Sequence, residues 1–166
     1  MASQSELEIL TQRIAKLEAA QAQQKELAAE TERRYGSLKA MMLEVTQNAS
    51  NASVRAELAS KKALLASTQA GLAAKTAAEV GALSVADTAL TAAHAAADAA
   101  GDAAAAAAEA WKSALLAAGH TAESQLMQMS IRAGDASQAA AAAAIKALKV
   151  FTEAYDAVKQ VALSKS

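Results

Sequence analysis

Alanine occupies nine successive seam positions of a heptad repeat between residues 49 and 77. The repeat is set near the N-terminus by apolar residues at spacings of three and four, Leu7, Leu10, Ile14 and Leu17. Carried forward without a slip, the register reaches Ala49, Ala52, Ala56, Ala59, Ala63, Ala66, Ala70, Ala73 and Ala77. A seam of methyl groups lets two helix axes approach near the short end of the usual range of about 8–10 Å. The pattern therefore predicts long helices that pack closely.

The composition favours helix along the whole chain. The 166 residues include 52 alanines and no proline, so the strongest helix former is abundant and the strongest helix breaker is absent. Aromatic residues, which favour strands, number only four. The sequence predicts an all-α fold, with long Ala-rich helices in an elongated coiled-coil hairpin or a helical bundle.

We expect one helical domain over 1–166, with helix ends at glycines and weak helix formers. Its predicted parts are a charged heptad helix over 5–47, an Ala-seam helix over 53–100, an Ala-rich segment over 102–133 with a turn near 119–121, and an amphipathic helix over 135–163. The breaks at Asn48–Asn51 and Gly101 rest on composition alone, whereas Gly134 suits the residue that follows a helix. Gly36, Gly71 and Gly81 are expected to lie within helices.

A second apolar stripe accompanies the alanine seam. Leu58, Leu65 and Leu72 lie seven residues apart on a different helix face. Burial of a methyl group contributes about 0.8 kcal/mol, and a leucine side chain two to three times as much, so a monomer built on alanine seams is expected to be marginal. The two stripes therefore predict packing against copies of the chain. The predicted assembly interface consists of Leu7, Leu10, Ile14, Leu17, Ala56, Ala59, Ala63, Ala66, Ala70, Ala73, Leu58, Leu65, Leu72, Trp111, Ile145, Leu148, Phe151 and Tyr155.

Motifs for catalysis or cofactor binding are not evident in the sequence. His94 and His120 have no partners at metal-ligand spacing, apart from Asp98 four residues after His94. There is no cysteine, no glycine-rich phosphate loop and no serine nucleophile elbow. The doublets Arg33–Arg34 and Lys61–Lys62 are isolated in a chain of net charge -1. We expect no enzyme activity, cofactor, metal, small-molecule substrate or nucleic-acid partner.

The leading functional hypothesis is a structural protein that assembles with itself into a filament, ribbon or sheath. An alternative is an amphipathic helical protein on a membrane or granule surface, as phasins or helical pore-forming components are, with a membrane surface the less favoured partner. The sequence indicates neither a signal peptide nor a membrane span, so synthesis in the cytoplasm is expected and the final compartment stays unknown.

The segment "DTALTAAHAAADAAGDAAAAAAEA" is similar in composition to the alanine-rich antifreeze helices of fish. Those helices repeat threonine every eleven residues, whereas Thr88 is followed at that spacing by Ala99 and Ala110 before Thr121. An ice-binding helical bundle is therefore a further alternative. The Ala/Gln/Ser/Thr-rich helices also resemble in composition the subunits of bacterial extrusive ribbons, which implies a polymer-forming subunit.

Overall fold

The computed structural model describes residues 4–119 and 124–164 and folds them almost entirely into helix. Helix α1 spans Gln4–Glu79, α2 spans Leu83–Ala118 and α3 spans Ser124–Ser164. Within these described ranges there is no strand, which confirms the all-α prediction. The contacts divide the chain into two units, residues 1–42 and 43–166. In the first unit every residue from Thr11 to Met41 is exposed.

The second unit is held together by layers that repeat every seven residues. Three layers are defined by a serine of α1 that contacts α2 and α3 at once: Ser53 with Ala107 and Ala133, Ser60 with Ala100 and Ala140, and Ser67 with Ala93 and Ala147. The same step leads to the buried residues Thr46, Ala114 and Leu126 at one end and Ala74, Ala86 and Ala154 at the other. The residue numbers rise together on α1 and α3 and fall on α2, so α2 runs antiparallel to the other two helices.

Each serine hydroxyl lies between the backbones of two neighbouring helices. Ser53 Oγ is 2.8 Å from the carbonyl oxygen of Ala133 and 3.3 Å from that of Ala107. The corresponding distances from Ser60 Oγ are 2.8 Å to Ala140 and 3.1 Å to Ala100. A carbonyl oxygen has two lone pairs, so it can accept this bond as well as its intrahelical one. A side chain as short as serine reaches both backbones only because the three helices lie very close together.

The three serines differ in this respect from threonines elsewhere on α1 and α2. Thr31, Thr68 and Thr88 each donate to the carbonyl oxygen four residues earlier on their own helix, which is the usual choice of a hydroxyl in a helix. Among the described residues, every buried side-chain nitrogen or oxygen has a hydrogen-bond partner. The core therefore contains polar groups without leaving a donor unpaired, which would otherwise cost about 1–3 kcal/mol each.

The turn between α1 and α2 is made by Gly81. Its φ is 82°, a conformation that only glycine adopts readily. The Gly81 N–H donates to Ala78 O at 3.0 Å, and the Ala82 N–H donates to Ala77 O at 2.8 Å. These two bonds form a Schellman motif, which satisfies the last carbonyls of α1 and allows α2 to begin at Leu83.

Several predicted helix ends are wrong. Gly81 ends a helix although it was expected inside one, whereas α1 continues through Asn48–Asn51 and α2 through Gly101. Helix α3 also continues through Gly134. Glycine at this position makes room for Trp111, because an added Cβ would lie 2.9 Å from Trp111 Nε1. Helix α2 ends at Ala118 and Gly119 follows as its C-cap, at the position of the predicted turn. His120 and Thr121 lie outside the described residues.

The alanine seam has the correct period but does not form the centre of the bundle. The central positions of α1 are Ser53, Ser60, Ser67 and Ala74, and each directly follows an alanine of the seam. The seam residues Ala52, Ala59, Ala66 and Ala73 are exposed, while Ala56, Ala63 and Ala70 are half-buried at the edge of the core. The register carried forward from the N-terminal apolar residues therefore lies one residue before the buried positions of α1.

Candidate assembly surface

A row of three leucines on α1 faces away from the core of the bundle. Leu58, Leu65 and Leu72 are 53%, 63% and 60% exposed. Leu58 follows Ser53 by five residues, which places it about 140° around the helix from the core layers. We call these three residues the leucine row. Its members repeat with the layers, about 10.5 Å apart along the helix axis.

Basic side chains accompany the leucine row. Arg55, Lys61 and Lys62 are exposed beside Leu58 and Leu65, and the half-buried Lys75 lies beside Leu72. Lys61 forms an exposed ion pair with Glu57 one turn earlier, a contact of the kind that contributes little to stability. The outer face of α1 between residues 55 and 75 therefore combines large apolar side chains with excess positive charge.

The second candidate surface is a groove between α2 and α3, which we call the α2–α3 groove. It contains three shallow cavities. The first, of about 180 Å³, lies between His94 and Tyr155; the second, of about 440 Å³, between Asp98 and Leu148; and the third, of about 240 Å³, between Trp111 and Ile131. The first two are one heptad apart, because Tyr155 follows Leu148 by seven residues.

The α2 side of this groove is acidic. Asp87 lines the first cavity, and Asp98 and Asp102 line the second. Helix α2 contains no lysine or arginine before Lys112. His94 Nε2 lies 3.7 Å from Asp98 Oδ1, and the His94 ring stacks on Phe151 with 4.7 Å between ring centroids.

The residues predicted for the assembly interface fall on more than one surface. Ile145, Leu148 and Tyr155 are exposed on α3, and each lines a cavity of the groove. Phe151 is half-buried beneath His94, and Trp111, 36% exposed, packs over Gly134.

In the first unit, Ile14 and Leu17 are exposed. The side chains of Leu7 and Leu10 lie outside the described part of the structure. Contact of these residues with another copy of the chain stays a prediction.

Sequence reasoning missed the contribution of Gly101 to the groove. This exposed residue lies in the middle of α2 and lines the second cavity. A Cβ added there would have nothing within 4 Å, so packing within the chain does not require glycine. The signal in the sequence was a single glycine that interrupts an alanine-rich run, and we had interpreted it as a helix break.

Across 4–119 and 124–164, no cluster of three or more His, Cys, Asp or Glu side chains is arranged to hold a metal ion. In the same ranges, none of the helices has a stretch that is both long enough and apolar enough to span a bilayer. Comparison of the chain with protein-family models, curated proteins and solved structures finds no match.

Proposed function

We propose that this chain is a structural helical protein that assembles with itself into a homopolymer. The observation that supports the proposal is the placement of side chains by size. The central layers of the second unit contain only alanine and serine. The three leucines of the leucine row on α1, by contrast, face away from these layers, and more than half of the surface of each is exposed. In a monomeric protein, large apolar side chains are the ones most often buried.

Large apolar side chains are also exposed on the other two helices. On the outside of α2 and α3, Leu115, Leu116, Met127 and Ile131 are exposed to a similar degree. Large continuous apolar patches on soluble proteins mark interaction sites. Contact with another copy would bury these side chains without requiring a larger core.

The magnitudes favour a repeated contact over a single small one. Full burial of a leucine contributes about 1.5–3 kcal/mol, so completing the burial of three half-exposed leucines contributes on the order of 4 kcal/mol. Association costs roughly 4–15 kcal/mol in lost translational and rotational freedom. The leucine row therefore needs further contacts, from its basic flanks and from a partner surface of matching length.

Sedimentation velocity and negative-stain electron microscopy of the full chain test the proposal. We expect large particles for the wild type and smaller ones for Leu65→Ser. Leu163→Ser is the matched control, because Leu163 is 69% exposed on α3 but lies outside both candidate surfaces. A wild type that sediments as a monomer at high concentration would contradict the proposal.

Binding to a membrane or granule surface is the second candidate. Leu115, Leu116, Met127 and Ile131 are exposed near the end of α2 and the beginning of α3, and three of them, Leu115, Met127 and Ile131, line the third cavity. Leu126, which lies between them in sequence, is fully buried and cannot contribute. Flotation with phosphatidylcholine vesicles distinguishes the two candidates: recovery of the protein with the vesicles and the absence of ordered polymers would favour the surface role.

A further inference from the structure

We propose that the leucine row of one copy docks into the α2–α3 groove of the next copy, which makes the self-contact head-to-tail. This inference rests on the self-assembly proposed above and specifies which surfaces meet. The occupant of the groove is thus the outer face of α1 between residues 55 and 75. The two surfaces lie on different sides of the second unit, so each copy presents one of each.

Spacing is the first argument. The leucine row repeats every seven residues, and the first two cavities of the groove are also one heptad apart. Neighbouring leucines are therefore separated by the same rise, about 10.5 Å, as neighbouring cavities. Two successive leucines can occupy two successive cavities when the helices run side by side.

Charge is the second argument. Arg55, Lys61 and Lys62 accompany the leucine row, while Asp98 and Asp102 border the cavity that would receive a leucine. Helix α2 has no lysine or arginine before Lys112 to compensate these carboxylates. Opposite potentials on two surfaces favour their encounter and fix their relative orientation. The same charges oppose contact of one leucine row with another, because that contact would bring basic side chains together.

Gly101 is the third argument. Glycine is among the least favourable residues inside a helix, and neither a positive φ nor packing within the chain requires it at this position. It lines the second cavity together with Ile145 and Leu148. A missing side chain at an exposed position that borders the cavity allows close approach of a partner helix, which would account for glycine here.

A head-to-tail contact has a distinctive consequence in mixtures. Every interface needs one intact leucine row and one intact groove. Leu65→Asp removes the first surface and Gly101→Leu fills the second, so each variant alone should be dispersed. When they are mixed, the intact groove of one meets the intact leucine row of the other, and a 1:1 pair forms that cannot grow. A contact of one leucine row with another, by contrast, would leave Gly101→Leu assembled on its own, so no such rescue would be seen.

The experiment is sedimentation velocity on the two full-length variants, alone and mixed in equal amounts. We expect monomers for each alone, with self-association weakened at least tenfold relative to the wild type, and a heterodimer in the mixture. Leu163→Asp and Ala92→Leu are the matched controls at exposed positions outside the two surfaces, and should assemble like the wild type. Circular dichroism melts verify that all four variants are folded.

The outcomes separate this inference from the proposed function. If the wild type assembles but either test variant still assembles normally, or if the mixture stays monomeric, the head-to-tail contact is wrong while self-assembly stands. If the wild type itself is monomeric, both proposals fail.

Discussion

The two sides of α1 in the second unit have the same seven-residue period but opposite contents. The inner side carries Ser53, Ser60 and Ser67, which are almost completely buried, and the outer side carries Leu58, Leu65 and Leu72, which are mostly exposed. The inner side gains stability from close backbone approach and hydroxyl-to-carbonyl bonds rather than from large apolar side chains. The comparison teaches that periodicity alone does not identify a core, because both sides repeat every heptad.

The largest expected effect comes from placing a large side chain on the inner side. Ser60→Leu inserts bulk into a layer where the Ser60 oxygen is already within 3.1 Å of two backbones, so it should lower the free energy of unfolding by about 3 kcal/mol. Ala59→Leu, at the adjacent exposed position, should change it by less than about 0.5 kcal/mol. Urea unfolding at a concentration where the protein is dispersed measures both. Equal effects would show that the inner layers are not tightly packed.

A smaller effect is expected when a methyl group is added at Gly134. Its Cβ would lie 2.9 Å from Trp111 Nε1 and 3.1 Å from Cε2, so the indole must move outwards. We expect a loss of about 1 kcal/mol for Gly134→Ala, the net of this displacement and the gain in helix propensity. Tryptophan fluorescence should shift to the red as the ring becomes more exposed. An unchanged spectrum with increased stability would contradict the packing of Trp111 on Gly134.

The smallest effect, with the opposite sign, is expected at Gly101. Gly101→Ala meets no atom within 4 Å and reduces the freedom of the unfolded chain, so it should raise the free energy of unfolding by about 0.4–1 kcal/mol. Thermal melts of the dispersed protein, compared with those of Gly134→Ala, provide the measurement. A loss of stability would mean that Gly101 has a role within the single chain, and it would remove one support for the docking of α1 in the groove.

Composition was sufficient to predict the fold class, and the period of seven was read correctly. The buried face of α1 was not predicted, because serine is usually a surface residue. Ser53, Ser60 and Ser67 are buried only because α2 and α3 approach closely enough for the serine hydroxyls to contact their backbone carbonyls. The end of α1 was missed for a similar reason: Gly36, Gly71 and Gly81 all follow helix-forming segments, and the positive φ and the bonds to Ala77 O and Ala78 O distinguish the last.

The candidate surface was predicted only in part. The leucine row followed from its seven-residue spacing. The groove did not, because it requires α2 and α3 to be placed side by side. Its acidic border comes from residues that are far apart along the chain from Ile145 and Leu148.

The layers of the second unit are so similar that they do not by themselves fix the register of α3 against the other two helices, whereas Leu126 does. Serine–alanine–alanine layers are interchangeable, so sliding α3 by one heptad would leave most of them chemically unchanged. Leu126 is the largest fully buried side chain of the described residues and occupies an end layer with Thr46 and Ala114. Sliding α3 by one heptad towards the Ser53 layer would force the Leu126 side chain into a layer built of serine and alanine. A single large side chain thus opposes a register shift that the otherwise interchangeable layers would tolerate.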